Sequence, residues 1–200
     1  MNTVAMALFP DFLLLDMAGP LEVFSIANRY LPAAQHYQIL TVGTEPGPLR
    51  ASNGVVVQPD LLLAQAHEAY DLLLVPGGPG AYNECHPDLL PWLMAAAPRA
   101  RRFGSICTGA FVLGHAGLLD GHRVTTHWHY TERLIKAFPQ AIVETDRIYL
   151  QDGRLITSGG VTAGIDLALS VVAQDHGKQV AVDVAKVLLR SEERRVGKEC

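Results

Sequence analysis

Cysteine is scarce in this chain of 200 residues. Its three cysteines, Cys85, Cys107 and Cys200, show no paired spacing. A disulfide-stabilised domain needs several paired cysteines, and a zinc site needs clustered Cys or His ligands, so the sequence argues against both classes. We therefore expect a protein of the reducing cytoplasm that holds neither a metal nor another cofactor.

An excess of positive charge and long apolar runs are also missing. The formal net charge is −4, from 16 Lys and Arg against 20 Asp and Glu, so a basic surface for DNA phosphates is not expected. No segment approaches the ~18 apolar residues of a membrane span, and the N-terminus lacks the basic start of a signal peptide. We expect a soluble cytoplasmic protein that has no membrane partner and contacts DNA only through another domain.

Apolar residues, at 49% of the chain, are plentiful enough for a sizeable core. Continuous apolar runs predict strands at 3–9, 37–43, 54–60, 70–78, 101–107 and 122–127. Helices are predicted at 19–31, 88–100, 109–118, 130–138, 162–175 and 178–189, with Pro20 in a first helical turn. Residues 142–159 predict a hairpin that turns at Asp152-Gly153. This alternation predicts one doubly wound α/β domain over residues 1–189, with a mostly parallel sheet and helices on both faces.

The last eleven residues, RSEERRVGKEC at 190–200, break the pattern because they carry charge without an apolar face. One interpretation is a solvated tail. The other is a non-native scar, because a common sequencing adapter translates in frame to the residues at 190–194. On the second interpretation the natural protein continues beyond Leu189 into a different sequence.

The segment SICTG at 105–109 has small residues two positions either side of Cys107, the layout of a nucleophile elbow between a strand and a helix. A helix N-terminus favours a thiolate, so we expect the pKa of Cys107 to be lowered and Cys107 to react faster than Cys85. The alternative is a buried structural cysteine.

Two further segments are candidates for the same site. VPGG at 75–78 ends a predicted strand, and the backbone N–H groups of Gly77 and Gly78 would suit an oxyanion hole. A plain glycine turn is the alternative. Asp16 lies in an apolar stretch before a predicted helix, where it is either an N-terminal cap or a carboxylate that faces the thiol.

These segments carry a family resemblance. The motifs are DMAGPLEVF at 16–24, VPGG at 75–78, CTGAFVLGHAGLLDG at 107–121 and TTHW at 125–128. Together they resemble the DJ-1/PfpI superfamily, which is similar to class I glutamine amidotransferases in fold. With DHGKQVAVDVAK at 175–186, they look most like the N-terminal domain of AraC-type transcriptional regulators, and isonitrile hydratases are the nearest enzymes. The resemblance implies a flavodoxin-like sandwich with a nucleophile elbow.

The resemblance also implies roles for individual residues. Cys107 takes the nucleophile position, Asp16 that of its acidic partner, and Thr108 that of a neighbouring hydroxyl which, with Gly77 and Gly78, would bind the ligand or oxyanion. His127 corresponds to a histidine that lines the pocket near the thiol. PfpI-type proteases carry histidine directly after the cysteine, where this chain has Thr108, so protease activity is not expected.

Several of the residues near TTHW keep a structural alternative. His127 is the one candidate base, or else a strand-end histidine that bonds to backbone. Gly159 and Gly160 form either a pocket wall or anion site, or a helix-entry turn. Trp128 and Tyr130 line a ligand pocket or belong to the core.

Three functions fit these observations. The first is a ligand-sensing, homodimeric domain of an AraC-type regulator whose helix-turn-helix domain follows Leu189 in the natural protein. The second is a cysteine-dependent hydratase that converts isonitriles into N-substituted formamides. The third is a redox or stress-related role like that of DJ-1. We favour the first, because the segment at 175–186 resembles the helix that leads toward the DNA-binding module in such regulators.

Overall fold

The computed structural model describes residues 2–66, 69–83 and 85–188. Leu189 and the expected non-native tail at 190–200, which ends at Cys200, lie outside the described residues.

Strands and helices alternate along the chain. The strands are β1 (Asn2–Leu8), β2 (Tyr37–Gly43), β3 (Leu49–Arg50), β4 (Val56–Val57), β5 (Leu61–Leu62), β6 (Leu72–Val75), β7 (Arg102–Ile106), β8 (Arg123–Val124), β9 (Ile142–Val143), β10 (Tyr149–Asp152) and β11 (Leu155–Ser158). The helices are α1 (Leu14–Ala27), α2 (Gly80–Asn83), α3 (Leu89–Ala96), α4 (Ala110–His115), α5 (Thr131–Ala137), α6 (Ala163–His176) and α7 (Lys178–Val187).

The central sheet has seven strands in the order β10-β11-β7-β6-β1-β2-β5. All neighbours are parallel except β10, which pairs antiparallel with β11 at one edge. β6 and β1 are buried along most of their length, because strands covered on both faces must be apolar throughout. The hairpin expected to turn at Asp152-Gly153 is confirmed, and Gly153 takes the positive φ of 59° that its turn requires.

Helices cover the sheet in two groups. α1, α6 and α7 pack against one another, and α2, α3, α4 and α5 form the second group. The sequence-based prediction of a doubly wound, mostly parallel α/β sandwich is therefore confirmed. Among the described residues, no helix is long and apolar enough to cross a membrane.

The first helix starts earlier than the sequence indicated. α1 begins at Leu14, so Pro20 lies in its interior and not in its first turn. Asp16 consequently belongs to the first turn, and the N-cap position is Leu13, so the prediction of Asp16 as a cap is wrong. Because proline has no N–H, Pro20 cannot donate the helical hydrogen bond to the carbonyl of Asp16.

Two predicted strands are largely replaced by other structure. Within 54–60, Gly54 takes a φ of 88° and only Val56–Val57 form a strand, which pairs with β3 outside the main sheet. Within 122–127, only Arg123–Val124 form a strand, which pairs with β9 in a separate small sheet. After Val124, the N–H of Thr125 donates to the side-chain hydroxyl of Thr157. This side-chain hydrogen bond takes the place of a backbone bond between strands.

Candidate functional site

Cys107 lies on a strained turn at the carboxyl end of β7. Its φ is 56°, one of two positive values among the described residues other than glycine, and its side chain is only 4% exposed. A short 3-10 turn at Cys107–Gly109 leads directly into α4. A Cβ at Gly109 would lie 2.3 Å from the carbonyl oxygen of Val75, so the turn requires glycine there. Such strain at a cysteine marks a candidate site.

Asp16 reaches this turn from the first turn of α1. It is fully buried, and its Oδ2 accepts a hydrogen bond from the N–H of Gly77 at 3.0 Å. Oδ1 receives no N–H or O–H donor from the described residues. Burial raises the pKa of this carboxyl from 3.8 to about 7, although hydrogen bonds from Gly77 and the Cys107 thiol oppose the rise.

The pKa of the Cys107 thiol is raised, whereas its position at a helix N-terminus predicts a lowered pKa. Burial, and then the negative charge of Asp16, raise its pKa to about 12, against hydrogen bonds from Thr108 that favour the thiolate. The expected lowering of this pKa is therefore wrong, because desolvation outweighs a short helical turn. Two acids in one buried site resist ionising together, so Asp16 loses its proton well before Cys107 as pH rises.

The glycine turn after β6 links Asp16 to the Cys107 turn, because Gly77 bonds to Asp16 and Gly78 bonds to Thr108. The N–H of Gly78 donates to the hydroxyl of Thr108 at 2.9 Å, and a Cβ at Gly77 would lie 2.7 Å from both Asp16 and Thr108. The structure thus brings Asp16, Gly77, Thr108 and Cys107 into one cluster. Both glycine N–H groups already have acceptors, so their use as an oxyanion hole stays a prediction.

His127 lies apart from this cluster. Its Nδ1 accepts from the backbone N–H of His129 at 3.2 Å, and its ring stacks on Trp128 with centroids 5.6 Å apart. Burial, followed by the charge of His129, lowers its pKa. None of its described interactions includes Cys107 or Asp16, and its role as the base for the thiol stays a prediction.

A cavity of about 470 Å³ lies beside the residues that follow β8, and His127 lines it together with Trp128, Gly159 and Gly160. The pocket-wall interpretation of the two glycines agrees with this placement. Cys107 is not among the residues that line the cavity.

The sequence pattern missed two residues linked to the site, one by a hydrogen bond and one by charge. Thr126 donates its hydroxyl to the carbonyl oxygen of Cys107 at 2.7 Å and so anchors the strained turn. Tyr82 is close enough to Cys107 for their charges to interact, and its hydroxyl bonds that of Tyr130 at 2.7 Å. Thr126 lies in the quoted TTHW motif, whereas nothing in the pattern around Tyr82 indicated a role.

The fold and the site together define a class of cysteine-centred domains. In this class a mostly parallel α/β sandwich carries a strained cysteine at the carboxyl edge of its sheet, beside a buried carboxyl. Residues 2–174 match the DJ-1/PfpI family model. The chain belongs to the DJ-1/PfpI family, and the resemblance in its motifs is confirmed.

Two curated relatives and one solved structure indicate the range of this family. The chain is 37% identical to the HTH-type transcriptional regulator CdhR of Pseudomonas aeruginosa, over 90% of this chain and 52% of that protein. It is 35% identical to isonitrile hydratase of Pseudomonas putida, over 92% of this chain and 75% of the enzyme. A ThiJ/PfpI family protein from Pseudomonas syringae superposes with a TM-score of 0.81 at 25% identity, covering all of this chain and 76% of that one.

Proposed function

We propose that this chain is the ligand-sensing and dimerising part of an AraC-type transcriptional regulator of the cytoplasm. The observation that carries the proposal is its similarity to such regulators, 37% and 29% identity over nine-tenths or more of this chain. The chain spans about half the length of these two regulators, and the rest of each is not matched. We assign DNA recognition to a helix-turn-helix domain that follows Leu189 in the natural protein.

The charge of the chain supports the assignment of DNA binding to a separate domain. The segment 190–200 holds four of the 16 Lys and Arg and three of the 20 Asp and Glu, so residues 1–189 hold 12 basic and 17 acidic residues. Release of counterions from phosphates supplies most non-specific DNA affinity, and an acidic domain gains little from it. Residues 1–189 are therefore not expected to bind DNA.

Mobility-shift measurements test the proposal directly. Residues 1–189 should bind no duplex at physiological salt, whereas the protein with its natural sequence restored after Leu189 should bind a palindromic or directly repeated site near its own gene. Specific DNA binding by residues 1–189 alone would contradict this assignment, and so would failure of the restored protein to bind.

A second candidate is an isonitrile hydratase, which the Asp16–Cys107 pair favours. Here Cys107 forms the nucleophile elbow, and the Asp16 carboxylate takes the thiol proton as the sulfur attacks the isonitrile carbon. Asp16 then passes this proton to the same carbon, which gives a thioimidate. Water adds to the C=N bond as Asp16 moves one water proton to the nitrogen, and the remaining hydroxyl proton passes through Asp16 to sulfur as the C–S bond breaks and an N-substituted formamide leaves. Thr108 and His127 would assist as hydroxyl and base.

An assay of formamide production from isonitriles tests this second candidate function. An active protein should lose turnover in Cys107→Ser and be strongly slowed in Asp16→Asn, because the first lacks the thiol and the second cannot deliver a proton. Absence of turnover by the unmutated protein over a broad isonitrile panel would leave the regulator as the function of the chain.

A further inference from the structure

A second cavity lies at the amino ends of β7 and β11, away from the turn that carries Cys107. Its volume is about 240 Å³, which is room for a small organic molecule, since a water molecule takes about 30 Å³ in the liquid. Phe103 of β7 and Leu155 of β11 line it together with residues of the loop between α4 and β8. Cys107 follows the opposite, carboxyl end of β7, so this cavity is separate from the thiol site.

One side of the cavity is apolar. Phe103 and Leu155 are buried, and Leu118 is partly buried against the hydrophobic core. Phe103 and Leu155 lie side by side, because they are partners in the parallel pairing of β7 with β11. This side of the cavity therefore suits a short aliphatic chain, which gains free energy when it leaves water.

Arg154 supplies a positive charge at the cavity. Its Nη1 donates to the carbonyl oxygens of Pro98 at 2.9 Å and Ala100 at 3.0 Å, and these two bonds fix the guanidinium. Within the part of the chain that the structure describes, its Nε and Nη2 have no acceptor and no carboxylate pairs with it. The N–H bonds of Nε and Nη2 are parallel, and they form the fork that the two oxygens of a carboxylate match.

The other ionisable groups at the cavity leave this fork open. His122 donates from Nδ1 to Asp152 at 3.1 Å, so that carboxylate already has a partner. Asp120 lines the cavity from an exposed loop, where solvent weakens its repulsion of an anion. The cavity thus combines an open cationic fork with an apolar side, and Asp120 reduces the attraction for an anion without cancelling it.

We propose that this cavity binds a small monocarboxylate with a short aliphatic chain. The carboxylate accepts two hydrogen bonds, from Nε and Nη2 of Arg154, and the chain lies against Phe103, Leu118 and Leu155. An organic cation would be repelled by Arg154, and inorganic phosphate would leave the apolar side uncovered. The site is additional to the proposed regulator function and involves neither Cys107 nor DNA.

Titration of the isotope-labelled full chain tests the inference, with the amide NMR signals of Phe103 and Leu155 as the readout. Butyrate should shift both signals saturably. Its affinity should exceed that of propionate, and that of propionate should exceed that of acetate, by about two- to fourfold for each methylene. Phosphate should bind at least tenfold more weakly than butyrate, and butylammonium should leave the two signals unchanged.

Substitutions separate the fork from its charge. Arg154→Gln should weaken butyrate binding at least tenfold, and Arg154→Lys about fivefold, because lysine keeps the charge and loses the fork. Asp120→Asn should tighten binding about twofold, since it removes the opposing charge. Arg50→Gln is the matched control and should leave the affinity unchanged. The guanidinium of Arg50 also bonds to a carbonyl, that of Gly54 at 2.8 Å, but it does not line this cavity. Circular dichroism establishes that each variant is folded.

Several results would overturn the inference. These are no shift of the two signals with about 10 mM butyrate, where millimolar affinity is visible, or equal affinities for acetate and butyrate. Tighter binding of phosphate or butylammonium than of butyrate would do the same, and so would unchanged affinity in Arg154→Lys or equal effects of Arg154→Gln and Arg50→Gln. The titration involves no DNA, so its failure and the failure of the regulator proposal are separately observable.

Discussion

At the scale of single residues, two opposing effects act on Asp16 and Cys107: burial disfavours their charged forms, and hydrogen bonds favour them. The fold buries a carboxyl and a thiol together, and this burial disfavours the charged form of each. Hydrogen bonds from Gly77 and Thr108 favour the charged forms, yet burial outweighs them at both groups. The result is a protonated pair whose first proton leaves near neutral pH.

Replacement of Asp16 by Asn should change how stability depends on pH. The carboxyl is protonated below about pH 7 in the folded protein but only below about 3.8 in the unfolded chain. Between these values the folded state holds one more proton, so the stability contributed by this group is complete below about pH 4 and lost as pH rises through 7. Asp16→Asn should therefore match the unmutated protein near pH 4 and exceed it at pH 8, by up to about 4 kcal/mol.

Urea unfolding at several pH values measures this difference. Asp183→Asn is the control of opposite sign, because hydrogen bonds from Gln179 and then Lys186 lower the pKa of that exposed carboxyl. Its substitution should cost stability at high pH, not add it. A difference for Asp16→Asn that does not vary with pH would show that the carboxyl is ionised in the folded protein throughout.

Alkylation should distinguish the two described cysteines. Cys85 is exposed, whereas Cys107 is buried with its pKa raised to about 12. Iodoacetamide at pH 7.5 should therefore label Cys85 at least tenfold faster, the reverse of what the helix N-terminus alone predicts. Asp16→Asn should speed labelling of Cys107, because it removes the charge that opposes the thiolate. Peptide mass spectrometry follows both sites, and faster labelling of Cys107 in the unmutated protein would refute the burial argument.

Much of the candidate site was predictable from the sequence, and its electrostatics were not. Small residues around Cys107 and the glycines at 77 and 78 mark sharp turns in the sequence, and the structure places these turns together with Asp16. The balance between desolvation and a helix dipole depends on how much protein covers the thiol, which no local pattern contains. The same holds for Thr126, whose bond to the Cys107 carbonyl joins residues 19 positions apart.

At the scale of secondary-structure elements, continuous apolar runs were the reliable signal. β1 and β6 are buried parallel strands, and their patterns identified them. The short strands β4 and β8 were mispredicted in extent, because two-residue strands depend on partners elsewhere in the chain. The start of α1 was missed because Pro20 resembles a first-turn residue and the structure tolerates it inside the helix.

The contact between β7 and β11 leaves no room for a side chain at Gly104. A Cβ there would lie 1.7 Å from the carbonyl oxygen of Ile156, a backbone atom that cannot rotate away. Gly104→Ala should therefore separate the two strands and destabilise the protein by about 3 kcal/mol or more. Gly159→Ala is the control, since its nearest neighbours would be 3.4 Å away. Thermal unfolding compares the two variants, and equal melting temperatures would contradict the prediction.

At the scale of the whole molecule, the proposed sensing role requires two copies to act together. DNA-binding modules of dimeric regulators read paired half-sites, so the points where the two chains continue must lie close together. α7 is the last described helix, and it buries Ala181 and Val184 on its inner face. Val182 and Val187 on the same helix are 37% and 41% exposed, which leaves apolar surface at this position.

We predict that α7 contributes to a homodimer. Light scattering after gel filtration should give twice the chain mass of 21.7 kDa, because exposed valines on α7 gain from mutual burial and bring the two continuing chains together. Val182→Glu should weaken association at least tenfold, since it would bury an unpaired carboxylate at the interface. Val55→Glu is the matched control, because Val55 is 47% exposed between β3 and β4 and should leave the dimer intact. A monomer at micromolar concentration would contradict the dimer, and equal effects of the two substitutions would place the interface elsewhere.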